Sequence, residues 1–101
     1  MTNPFPSEKE SLILALLAER GVMYGLELVN ESGGHLKRGT VYVTLSRMQD
    51  KGWVRVAEDR SPGSHAGLPR PRYRITAAGH RVLMAVEAAR ELLVPARRPL
   101  S

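Results

Sequence analysis

The chain has 101 residues, 43% hydrophobic and 25% charged, with a formal net charge of +5; that is room for one domain with a small core. It contains no cysteine, which excludes disulfides, thiolate nucleophiles and cysteine-held zinc or iron–sulfur centres. Its longest apolar run, Leu12 to Ala18, is seven residues against the roughly 20 that span a bilayer, and MTNPFPSEKE has no basic stretch leading into an apolar one, so a cytoplasmic protein without membrane contact is expected.

Charge is unevenly spread. Residues 1–34 carry two bases and five acids, a net of −3, whereas residues 35–74 carry nine bases and three acids, a net of +6. With a sequence pI near 10.2, a basic middle on a small domain is the electrostatic footprint of a polyanion binder.

Ser7 and Glu10 have capping-box spacing, in which each side chain satisfies the other's backbone N–H, so a first helix is expected from Ser7 to Arg20. Leu12, Ile13, Leu16 and Leu17 share a face, with Leu14 and Ala18 on the far side. A helix apolar nearly all round must be covered twice, and a second subunit is the simplest cover. Gly21 supplies the stop. A short second helix is expected from Tyr24 to Ser32, with Leu26 and Val29 inward and Gly33-Gly34 ending it. A third is expected from Lys37 to Lys51, stopped by Gly52. At 100° per residue Val41, Leu45 and Met48 fall within about 60° of one another and form its core stripe. Val43, Ser46, Arg47 and Asp50 lie opposite, with Thr40 and Tyr42 at the margins.

After Gly52 the period changes to two. Trp53–Glu58 and Arg72–Ile75 read as strands of a hairpin, with arginines on one face of the second strand and Tyr73 and Ile75 on the other. The Gly/Pro/Ser-rich DRSPGSHAGLPRP lies between them as a loop. Thr76 stands at an N-cap, and a fourth helix from Ala77 to Val94 ends at Pro95. Its Ala78, Val82, Val86, Ala89 and Leu93 form one stripe, and a basic tail follows over 95–101.

Helix, short helix, glycine turn, helix, hairpin, helix is the order of a winged helix-turn-helix domain, mainly α with a two-stranded wing. In that fold the third helix enters the major groove and the hairpin touches flanking backbone. The expected organisation is a DNA-binding domain over 1–76 and a C-terminal dimerisation helix over 77–94.

YGLEL at 24–28, GTVYVTLSRMQDKGWV at 39–54 and PRYRITAAG at 71–79 together resemble the PadR family of bacterial transcriptional regulators, over about residues 10–90. The resemblance implies a homodimeric double-stranded-DNA binder, usually a repressor, whose last helix pairs with its counterpart, as in the small branch of the family. It also implies that the hydroxyls of Thr40 and Tyr42 meet phosphates, which set position without reading sequence. A half-buried packing role for Tyr42 stays open. Val43, Ser46 and Arg47 point where base edges would lie, with Arg47 able to fork onto guanine and Val43 to press a thymine methyl; a solvated Arg47 is the alternative. Lys37 and Arg38 depart from the family pattern, in which small polar residues or Pro precede the Gly. Two cations at a helix N-terminus oppose its dipole, which makes sense where a phosphate neutralises them. Arg72 and Arg74 share a solvated face, as flanking-phosphate contacts or as solubility charges. Dimer contacts are expected from Leu14, Ala18, Val82, Val86, Ala89 and Leu93.

His35, His65 and His80 are too scattered to suggest a metal site, and Trp53, next to Gly52, is expected in core or dimer packing. Relatives in this family often bind hydrophobic or phenolic effectors, but no residue set here names one. No nucleophile–base pair or phosphate-cradling loop supports an enzyme, and no cofactor is expected. A winged-helix adaptor that binds a partner protein is the competing reading, and the basic middle argues against it.

Overall fold

A computed structural model describes residues 5–57 and 70–93. In chain order these form α1 (Glu8–Arg20), β1 (Met23–Tyr24), α2 (Gly25–Glu31), α3 (Val41–Asp50), β2 (Val54–Ala57), β3 (Arg72–Ile75) and α4 (Ala77–Leu92). The tip of the expected hairpin, His65 and the basic tail lie outside the described residues.

The capping box at α1 is formed: Glu10 N–H donates to Ser7 Oγ at 3.1 Å and Ser7 N–H to Glu10 Oε1 at 2.9 Å. Gly21, at φ 92°, closes the other end with its N–H on the Leu17 carbonyl. Ile13, Leu14 and Leu17 have no exposed surface, and Leu12, Ala15 and Leu16 pack partly buried against the same core. Of the two residues expected on the far side of α1 beneath a second subunit, Ala18 is exposed and Leu14 is buried within the chain itself. Helices α2, α3 and α4 and strand β3 all pack on α1, so the chain wraps its own central helix and Leu14 has nothing left to offer a partner.

The second helix starts one residue later than expected, because Tyr24 is drawn into a strand: Met23 pairs with Tyr73 and Tyr24 with Arg72. The Glu27 carboxylate accepts the Tyr24 N–H at 2.7 Å and caps α2. The buried residue of α2 is Leu28, while Leu26 is 38% exposed and Val29 only partly covered, which corrects the expected phase. Buried Ser32 then organises the turn into α3. Its hydroxyl donates to the Val29 carbonyl and accepts the Leu36 N–H, and Gly33 and Gly34, at φ 65° and 92°, take the left-handed conformations that side chains disfavour.

Helix α3 begins at Val41 rather than Lys37. Residues 37–40 form a turn, with the N–H groups of Thr40 and Val41 on the Lys37 carbonyl. At the other end Gly52 is left-handed; its N–H meets the Gln49 carbonyl and the Trp53 N–H meets the Met48 carbonyl, the paired bonds of a Schellman stop.

The expected hairpin is present, but β1 makes the sheet three-stranded, antiparallel, in the order β1-β3-β2. Met23, Val54 and Tyr73 face the core. Thr76 Oγ1 accepts the Gly79 N–H at 3.0 Å and donates toward the carbonyls of Gly52 and Trp53, so a single hydroxyl caps α4 and ties it to the end of α3. Any side chain at Gly79 would run into the Trp53 carbonyl. The inward residues of α4 are Gly79, Leu83 and Val86. The expected stripe is therefore offset: Ala78 and Val82 are half-buried and Leu93 is 77% exposed.

Candidate nucleic-acid interface

The two sides of α3 differ sharply. Val41, Leu45 and Met48 are at most 1% exposed, whereas Tyr42 and Val43 are 43% and 53% exposed and Ser46, Arg47 and Asp50 also face solvent. Such a helix has one apolar stripe committed to the core and a face of small or polar side chains able to approach base edges.

Lys37, Arg38, Gly39 and Thr40 are all exposed on the turn that leads into α3. Thr40 occupies the N-cap without a side-chain cap bond, so the positive end of the helix dipole is left uncapped on the turn that carries both cations. This is a ready setting for an anion.

Tyr42 packs against the domain while part of its ring stays exposed. A methyl group on Gly25 would sit 2.6 Å from the Tyr42 ring, so the ring lies directly on the backbone at the start of α2, with part of its surface still in solvent. Its phenol also neighbours Tyr73: burial pushes the Tyr73 phenol up, and Tyr42 beside it adds to that. Gly25 was not singled out from sequence, although the Tyr-Gly pair at 24–25 was its signal.

In the sheet, Arg72 and Arg74 do share a face, but they are not equally solvated. Arg74 is exposed, while Arg72 is half-buried with its guanidinium 5.8 Å from the centroid of the Tyr24 ring. Arg70 approaches the same ring at 5.9 Å. Lys51, counted in the basic middle, is turned inward: its ammonium bonds Glu10 Oε2 at 2.8 Å and lies 4.6 Å from the centroid of the Trp53 ring. Burial pushes the Glu10 carboxyl up, but the Lys51 bond and charge and the Ser7 contacts outweigh it and hold it below its ordinary value. Trp53, 8% exposed, is a core residue and not a ligand platform.

The six residues expected at a dimer contact do not make one surface. Leu14 and Val86 are buried in the core, Val82 and Ala89 are half-buried, and Ala18 and Leu93 are exposed. The larger exposed apolar side chains of α4 are Met84 at 66% and Leu92 at 79%, which the expected stripe missed because it was placed one face away. His35 Nδ1 lies 3.0 Å from the Ser32 carbonyl, a turn contact.

Three helices with α3 presented outward, followed by a small antiparallel sheet and a last helix, define a winged helix-turn-helix DNA-binding domain. The Transcriptional regulator PadR-like family matches residues 13–85, and the chain belongs to that family; it is a DNA-binding transcriptional regulator and not an enzyme. A solved PadR family transcription regulator from Clostridium difficile R20291 is similar with a TM-score of 0.70 at 27% identity, over 86% of this chain and 91% of that one. A PadR family regulator from Eggerthella lenta DSM 2243 gives 0.65 at 30% identity, over 82% and 74%. Bordetella bronchiseptica BpsR, whose DNA binding is regulated by 6-hydroxynicotinic acid, shares the fold with a TM-score of 0.67 at 14% identity, over 86% and 56%. No curated protein sequence matches. Among the described residues no helix is long and apolar enough to cross a membrane.

Proposed function

We propose that the protein is a homodimeric, sequence-specific repressor that lays α3 in the major groove. The observation that carries this reading is the division of α3, with Val41, Leu45 and Met48 sealed in the core and Val43, Ser46 and Arg47 in solvent. Arg47 forks onto a guanine edge and Val43 packs on a thymine methyl. Lys37, Arg38, Thr40 and Tyr42 hold phosphates beside them, and Arg72 and Arg74 meet backbone flanking the half-site. Dimerisation runs through α4, where Met84, Leu92 and Leu93 leave apolar surface in water that a partner helix would cover. A repressor needs nothing beyond this, since a dimer seated on a promoter excludes polymerase by occupancy.

A small hydrophobic effector has a place to act. A groove of about 320 Å³ between α1 and α4 has Leu12, Ala15, Leu83 and Val86 along it and Glu8 and Arg90 at its edge. A ligand wedged there would change the angle between the dimerisation helix and the rest of the domain, as ligand-controlled DNA binding in BpsR illustrates for the fold.

Footprinting on the promoter upstream of the protein's own gene tests the whole reading. Two protected half-sites about 34–36 Å apart, or a multiple of that, are expected. Arg47→Ala should relax base preference by about 1–3 kcal/mol at one position, whereas Lys37→Ala should weaken all sequences alike and lower the log–log salt slope by about 0.9. An Arg47→Ala variant with unchanged affinity and unchanged preference refutes the assignment of α3 as the reading helix.

A further inference from the structure

Ser11 is 7% exposed, and its N–H donates to the Ser7 carbonyl at 2.8 Å within α1. Its hydroxyl lies in the wall of the groove between α1 and α4. There the space of about 320 Å³ adjoins a further one of about 130 Å³ beside Ala89 and Leu93, and Ser11 borders both. Among the described residues nothing hydrogen-bonds this hydroxyl. Packing does not call for it either, because Ala15 stands one turn further along the same wall and fills its place with a methyl group. A hydroxyl so enclosed and left without a protein partner costs the fold stability, and a ligand oxygen in the groove would offset that cost.

The rim decides what kind of ligand. Glu8 and Lys9 stand on the α1 side and Glu87 and Arg90 on the α4 side, and among the described residues none of the four is in an ion pair. Two acids and two bases cancel, so a charged head group is drawn by one pair about as strongly as it is repelled by the other. Carried down to Ser11, it would lose its water for one neutral hydroxyl, which an isolated charge does not tolerate. An uncharged oxygen makes that exchange at little cost, since a serine hydroxyl can donate to it or accept from it.

We propose that the groove binds an uncharged amphiphile, such as an alcohol, ketone or ester, whose oxygen bonds Ser11 Oγ and whose hydrocarbon body lies on Leu12, Leu83 and Val86. The inference rests on the effector role proposed for the groove and names the chemistry of its ligand. About 320 Å³ is near the lower end of the roughly 300–1,000 Å³ of small-molecule sites, so the body is a short chain or a single ring.

Three molecules with one chain and different heads test this: n-octanol, n-octanoate and n-octylamine, each titrated into the full chain at pH 7, where the acid and the amine are ionised. Methyl signals of Leu12, Leu83 and Val86, followed by NMR, should shift saturably with octanol, with a Kd lower than that of either ion by about tenfold or more. Ser11→Ala should weaken octanol about fivefold, the scale of one neutral hydrogen bond. It should melt no lower than wild type, because it removes a hydroxyl that the fold leaves unbonded; weaker binding together with a lower melting temperature would mark a structural role and overturn the site. An ion that binds as tightly as octanol, or a Kd unchanged in Ser11→Ala, overturns it too. So does silence with all three, the result expected where a second copy of the chain fills the groove. Anisotropy of a labelled duplex with and without octanol tests the effector role separately. If octanol binds through Ser11 and duplex affinity does not change, the site stands and the effector role falls; a wild type that binds no duplex even without octanol refutes the DNA-binding reading and leaves the octanol titration to decide this one.

Discussion

Replacing Lys51 with methionine keeps a long side chain over Trp53 and removes the charge that Glu10 holds at 2.8 Å. The Glu10 carboxylate is 5% exposed, and in the variant its remaining partner is the capping contact to Ser7. Stripping one partner from a fully buried ion pair costs about 3–5 kcal/mol, and leaving a buried acceptor short of a partner about 1–3 kcal/mol. Lys51 is 29% exposed, so water reaches the gap and the lower range applies. We expect about 2 kcal/mol at pH 7, a fall in melting temperature of roughly 8–16 °C for a domain of this size. The pH dependence gives an independent check. Wild-type Glu10 is held below its ordinary value of 4.5, so its contribution is complete above that pH and is lost as pH falls through the depressed folded value. With Lys51 gone, its bond and charge no longer oppose burial and only the Ser7 contacts remain, so the carboxyl takes up its proton at higher pH than in wild type, which relieves the variant as it is acidified. Urea unfolding of both proteins between pH 7 and pH 3.5 should therefore show the stability gap closing. A gap that stays constant across that range, or a variant within about 0.5 kcal/mol of wild type at pH 7, the scatter of ordinary surface substitutions, would refute this account of the pair.

Gly79→Ala should destabilise by about 3 kcal/mol or more in urea unfolding, because the new methyl meets the Trp53 carbonyl and Ile75 and overpacking outweighs the roughly 1 kcal/mol that alanine gains in a helix; a variant as stable as wild type would contradict the close approach. Gly25→Ala should displace the Tyr42 ring, which is exposed enough to swing away, and so weaken duplex binding about fivefold, the scale of one neutral hydrogen bond, while melting changes little. In a Tyr42→Ala background the same change should cost no further affinity, which fluorescence anisotropy would read directly.

What could be read from the chain alone was what is local. The cap at Ser7 and Glu10 spans four residues, the Gly52 stop follows from a single backbone conformation, and the faces of α3 follow from a period that ten residues are enough to fix. The misses share one cause, a dependence on distant partners. Strand β1 exists only because Met23 and Tyr24 find Tyr73 and Arg72, some fifty residues away. Helix α2 has seven residues, barely two turns, too few for periodicity to decide between Leu26 and Leu28. On α1 the apolar residues run nearly all round, so nothing local distinguishes a face covered by the chain's own α4 from one covered by a second molecule. Arg55 was visible as an alternating residue, but its position opposite Arg74 is a matter of register, which strand patterning does not supply across a long loop.

The contacts at the two ends of α3 divide its labour. At its C-terminal end the Gly52 stop, the Lys51–Glu10 pair and the Thr76 hydroxyl on the Gly52 and Trp53 carbonyls join three helix ends: the start of α1, the end of α3 and the start of α4. Its N-terminal end has exposed Lys37, Arg38 and Thr40 and no side-chain cap. Polar bonding to the rest of the domain is thus concentrated at the end away from Lys37 and Arg38, and exposed positive charge at the end proposed to meet phosphate. A helix anchored in this way loses little further freedom on docking, so less of its contact energy is consumed by ordering. The same anchoring separates affinity from choice. If α3 is the reading helix proposed above, loosening the joint of the three helix ends should weaken all sequences alike, while changes at Val43 or Arg47 should alter which base is preferred; binding of variants to a panel of duplexes separates the two.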